Sequence, residues 1–135
     1  MKKLACQYAI VQFMPFIETG EFANIGVVMM EPKEGYFGYK LQTKRVKRIT
    51  QFFEDLDANV FRNATNELKV ELDRVHNTLK AHGFDRRLKT NNVGFATGLF
   101  AEVLRPRETI IRFSQPRAVL ADNPKEALKK LYDFY

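Results

Sequence analysis

The sequence predicts an α+β fold, an antiparallel sheet of about four strands with helices packed on it. Its first part carries the two-residue period of strands, and after Thr43 the apolar residues recur at about 3.6. The resulting order, β-β-β-α-α-α-β-α, lacks the alternating rhythm that builds parallel sheets. At 135 residues the chain can bury a respectable core and is too short for two independent ones, so a single domain over residues 1–135 is expected.

The first segment, "CQYAIVQFMPF", is apolar on both alternating faces, since Tyr8, Ile10 and Met14 oppose Ala9, Val11 and Phe13. This suits a central strand covered on both sides. Pro15 and Glu18-Thr19-Gly20 make a turn, and residues 21–31 return as a second strand ended by Glu31-Pro32. In the third strand Phe37, Tyr39 and Leu41 alternate with Tyr36, Gly38 and Lys40, giving one apolar face and completing a meander. Val46, Ile49, Phe52, Phe53 and Leu56 then fall on one side of a short helix over 43–56, with Thr43 as N-cap. A longer helix follows, carried by Val60, Phe61, Ala64, Leu68, Leu72, Val75 and Leu79 and ended by Gly83. "FDRRLKTNN" connects to a third helix, "VGFATGLFAEVL", in which Gly94 and Gly98 read as small residues for close packing. "ETIIRFSQPRAVL" returns to strand chemistry, and "DNPKEALKKLYDFY" is a last helix capped by Asn123, with Pro124 at its first position and Glu126 set for a capping box. Its closing aromatics either dock on the body or await a partner.

Composition excludes several classes. With 45% hydrophobic and 28% charged residues the chain is not disordered, and no apolar run approaches the ~20 residues of a spanning helix. Met1 to Cys6 has no unbroken apolar stretch or cleavage site, so no signal peptide is expected. One cysteine, Cys6, forbids an internal disulfide, and a cytoplasmic location is expected. The net charge of +6 is concentrated: residues 36–50 hold Lys40, Lys44, Arg45, Lys47 and Arg48 and no acid. Cations at a helix start oppose the helix dipole unless an anion binds there, so Lys44, Arg45, Lys47 and Arg48, extended by Arg86 and Arg87, are a candidate phosphate or nucleic-acid surface; the alternative is a solvated positive face. Tyr36 and Tyr39 would stack bases if exposed.

Catalytic signatures are weak. His76 and His82 would stand roughly 240° apart around one helix, so no metal site is expected. Cys6 reads as a small buried thiol. Glu31-Pro32-Lys33 resembles the end of a nuclease motif, but proline there ends the strand such a motif needs. No cofactor is expected.

Two polar residues interrupt the strand "GEFANIGVVMM", Glu21 at its entrance and Asn24 near its middle. Strict alternation points them to opposite faces. Gly26 marks a bulge or a close backbone approach, and a bulge between 21 and 26 would bring both to one side. Alternatively Glu21 lies in solvent while Asn24 is buried and bonded to main chain outside its own strand.

"YAIVQFMPFIETGEFANIGVVMMEP" resembles the opening of the bacterial family DUF3037, through Tyr8, Pro15, Glu21, Asn24, Ile25, Gly26 and Val27. "AHGFDRRLKT", "GLFAEVLRPRETIIRFS" and the closing "FY" are similar to the same family, so the resemblance covers nearly the whole chain. It implies no established activity. It does imply a protein partner, because such proteins resemble small companions encoded beside a HipA-like kinase. The expected function is therefore a non-catalytic accessory module that binds a partner protein, plausible partners being such a kinase in a toxin-antitoxin or defence-type pair, with Glu21, Asn24 and Gly26 as partner-binding or structural motif. The alternative is a nucleic-acid-binding protein using the basic helix 43–56.

Overall fold

The computed structural model describes residues 3–16, 18–42, 46–53, 56–81, 90–105 and 110–134. Among them five strands form one antiparallel sheet: β1 (Leu4–Phe13), β2 (Ala23–Glu31), β3 (Tyr36–Leu41), β4 (Ile111–Phe113) and β5 (Arg117–Ala121). The helices are α1 (Val46–Phe52), α2 (Ala58–Ala81), α3 (Thr90–Val103) and α4 (Pro124–Phe134). This is the expected α+β architecture, with its helices packed on the sheet.

β1 is central, as its two apolar faces require. It pairs with β2 on one side and with β4 and β5 on the other. Alternation then sorts its side chains. Ala9, Val11 and Phe13 join a core with Ile49, Phe53, Phe61, Leu68, Leu72, Phe100 and Val103 from α1, α2 and α3 and the residues that follow α1. Cys6, Tyr8 and Ile10 join a second core with Val27, Met29 and Leu128, covered by α4.

The segment expected as one strand is two, because Ser114-Gln115-Pro116 interrupts it. Pairing runs Val11↔Phe113 before the break and Tyr8↔Arg117 after it, which leaves one residue extra on the outer strand. Proline has no N–H for the ladder. Within the break the Ser114 hydroxyl takes the place of a ladder carbonyl, accepting the Ile10 N–H at 2.8 Å, while the Ser114 N–H donates to the Ile10 carbonyl at 2.9 Å.

Two helix starts are built by side-chain caps. Asp57 accepts the Asn59 N–H at 2.9 Å ahead of α2, and Asn123 accepts those of Lys125 and Glu126 at 3.1 and 3.4 Å. α4 lays Leu128, Leu131 and Tyr132 on the second core, so of the closing aromatics Tyr132 docks on the body and Phe134 stays exposed, while Tyr135 lies outside the described residues. Val60, expected in the core, is also exposed. Gly94 and Gly98 are not packing residues: each is exposed, and a Cβ on either would meet nothing within 4 Å. Thr43, His82 and Gly83 lie outside the described residues.

Tyr39, on β3, donates its phenol hydrogen to the Asp73 carboxylate of α2 at 2.6 Å. Burial, then that bond and the carboxylate's charge, push its pKa from 10 up to about 12. Between these values the folded state holds a proton the unfolded chain has lost. The group's contribution to stability is therefore complete below about 10 and declines as pH rises toward about 12. In a spectrophotometric titration, the transition that Tyr39→Phe removes should lie near 12 and move back toward 10 in Asp73→Ala.

Candidate binding cleft

The residues flagged at the start of β2 owe their positions to a bulge. Val11 pairs with Gly26 and Gln12 with Asn24, so Ile25 is the extra residue, and it turns into the three-helix core with Val28 and Met30. Glycine follows because β3 passes close by. A Cβ on residue 26 would clash with the Lys40 carbonyl and stand 2.7 Å from Leu41 Cδ2. Backbone cannot yield as a side-chain tip would.

Asn24 itself is exposed, contrary to the expectation that it is buried and bonded to main chain. The reason is the length of its neighbour. β3 ends at Leu41, opposite Gly26, and the Gln42 N–H closes on the Ile25 carbonyl at 2.6 Å. Before Ile25, β2 has no strand on its outer side among the described residues. Glu21 lies ahead of the strand, exposed, with its N–H donated to the Thr19 hydroxyl at 3.2 Å, as the solvent reading anticipates. The two positions thus separate in stability: Gly26→Ala should cost about 1–3 kcal/mol by overpacking, and Asn24→Ala less than about 0.5, as measured by urea unfolding.

The open edge of β2 and the start of α1 enclose a cleft of about 250 Å³. Ala23 and Ile49 are its more buried lining, and Phe22, Phe52, Asn24, Gln42 and Arg48 complete it. Both rings stand in solvent, Phe22 at 44% and Phe52 at 55% exposure. Gln42 is held by the Tyr132 hydroxyl, which donates to its Oε1 at 3.2 Å, so its NH₂ end is left to donate. The sequence signals in part converge here: Asn24 and Arg48 share the cleft, whereas Lys47 is exposed and does not line it. Gly26 shapes the strand that leads to it, and Glu21 does not line it. Lys44, Arg45, Arg86 and Arg87 lie outside the described residues.

The family model for a protein of unknown function, DUF3037, matches residues 8–135. The chain belongs to this family. No curated protein and no solved structure matches it. The DUF3037 match starts within β1 and runs past α4, so the bulge, Gly26 and the cleft all fall inside the family's extent.

Phe22, Gln42 and Phe52 went unflagged in the sequence. The apolar spacing places Phe52 on the core face, yet adjacent residues on a helix point about 100° apart, and Phe53 takes the core position against Phe13. A Phe-Phe pair on an amphipathic helix is thus a signal that one ring is left outside. Tyr36 and Tyr39, considered for base stacking, are partly buried, Tyr36 against the α4 core and Tyr39 against the other and bonded to Asp73.

The other titratable groups here serve structure. Cys6 is fully buried; burial, and next the Glu31 carboxylate, raise its thiol above the ordinary range. Burial and then Cys6 raise the Tyr36 phenol likewise. Glu31 is fully buried and accepts the N–H groups of Lys33 and Glu34, both at 2.7 Å, which closes the β2–β3 turn around Gly35. Among the described residues no three or more His, Cys, Asp and Glu side chains are grouped to hold a metal ion, and no helix is long and apolar enough to cross a membrane.

Proposed function

We propose that this chain is a non-catalytic cytoplasmic accessory module that binds a partner protein through the cleft between β2 and α1. The observation that carries the reading is the pair of exposed phenylalanine rings, Phe22 and Phe52, set beside Arg48. Aromatic residues and arginine are enriched at protein interfaces, and arginine also among the few residues that dominate binding energy. Size argues in the same direction. At about 250 Å³ the cleft falls below the ~300–1,000 Å³ of small-molecule sites and suits a protruding side chain of a partner. The HipA-like kinase that the family resemblance implies is the first partner to try.

The test is co-purification and affinity measurement with a HipA-like kinase. Phe52→Ala and Arg48→Glu should each weaken binding by roughly 30-fold, the effect of a residue worth about 2 kcal/mol. Phe52 also meets the Phe53 ring edge-on at 4.7 Å, so the melting temperature is followed in parallel, which separates lost stability from a lost contact with the partner. Wild-type affinity in both variants would remove the cleft from the interface.

A second reading, binding of single-stranded nucleic acid, is favoured by Arg48 and Phe52 lining one cleft on a helix that also exposes Lys47, since rings stack bases and cations track phosphates. It requires affinity that falls steeply with added salt.

A further inference from the structure

Resting on the protein-binding reading, we infer that the cleft takes an acidic segment of its partner, an extended stretch in which a large apolar side chain is followed closely by a carboxylate. Three features select that chemistry. Phe22 and Phe52 are exposed rings beside the buried Ile49, a lining that an apolar side chain covers. Among the described residues Arg48 is the only charged group in the lining, and Lys47, the residue before it in the chain, is exposed. Neither cation has an acidic partner among the described residues, so Arg48 can present its planar fork to a carboxylate and form two parallel charge-assisted bonds. The polar remainder suits main chain. Gln42 has its NH₂ end left to donate, Asn24 has an exposed amide, and β2 before Ile25 has no outer strand among the described residues, so an extended peptide finds both amides and a strand edge. A basic segment would face Arg48 with like charge.

The test is an NMR titration of the full-length ¹⁵N-labelled chain with acetyl-Gly-Phe-Asp-Glu-amide and its uncharged counterpart acetyl-Gly-Phe-Asn-Gln-amide. The acidic peptide should move the side-chain amide signals of Asn24 and Gln42 and the backbone signals of Phe22 and Phe52, and the uncharged peptide should bind at least about tenfold more weakly. Arg48→Glu should abolish that preference and favour acetyl-Gly-Phe-Lys-Lys-amide, while Arg48→Lys should keep the preference at reduced affinity. Equal binding of acidic and uncharged peptides at these signals would overturn the acidic chemistry and leave the protein-binding reading standing. Movement of the same signals by single-stranded oligothymidylate, with neither peptide binding, would overturn both. Signals that move only elsewhere, or not at all, would overturn the inference.

Discussion

Phe13→Ala should lose about 3–5 kcal/mol of stability, the range for truncating a fully buried phenylalanine. Phe13 is 0% exposed and meets two rings edge-on, Phe53 at 5.7 Å and Phe61 at 5.1 Å. Each such ring pair adds about 0.5–1.5 kcal/mol beyond the area it buries. The loss is large against the ~5–15 kcal/mol total of an ordinary fold. It should appear as a lower urea midpoint with an unchanged slope, and Phe13→Leu should recover most of it. The effect extends to the cleft. α1 has seven residues, too few to be stable alone, and it reaches the core through Ile49 and the adjoining Phe53. With Phe13 gone, Arg48 and Phe52 lose the support that positions them, so partner affinity should fall although neither is altered.

Glu31→Ala should cost about 3 kcal/mol, because two charge-assisted hydrogen bonds, each worth about 1.5–3, are removed from a buried turn and the relief of desolvating the carboxylate offsets part of the loss. Glu31→Gln keeps one acceptor oxygen and should lose about half as much. Cys6 supplies an independent reading, since it is the sole cysteine and lies one step past the Gln7↔Met30 pair, level with Glu31. Loosening the turn exposes the thiol, and removing the carboxylate takes away one of the two causes that raise its pKa. Labelling of Cys6 by a maleimide should therefore be faster in Glu31→Ala than in the wild type. An unchanged labelling rate together with unchanged stability would show that the turn holds without its carboxylate.

Much of the fold was legible because local patterns and tertiary demands agree. The doubly apolar "CQYAIVQF" takes the sheet centre, the three-and-four spacing from Phe61 to Leu79 lies on one buried helix face, and Asn123 caps α4 as its sequence context suggests. Gly26 announced both the bulge and the close approach of β3. What stayed hidden depends on where neighbours stop. Asn24 looks out of place in a strand only if a strand covers its outer edge, and β3 ends before reaching it. The break at Ser114–Pro116 depends likewise on which hydroxyl can replace a ladder contact with Ile10. The cleft combines Phe22 and Asn24 with Gln42 and with Arg48 and Phe52, groups from three segments of the chain. No single window of sequence contains it.

The central place of β1 also dictates an order of events. Its pairing with β2, and that of β2 with β3, closes early in the chain, whereas its other edge waits for residues 111–121, and Leu4 meets Ala121 only once those residues are available. Long-range pairing of this kind slows folding. At a synthesis rate of ~5–20 residues per second, the meander emerges several seconds before the strands that complete the sheet. Throughout that interval an apolar strand presents unpaired N–H and C=O groups to any other extended chain. The nascent protein is thus most exposed to misassembly between the emergence of β3 and that of β4.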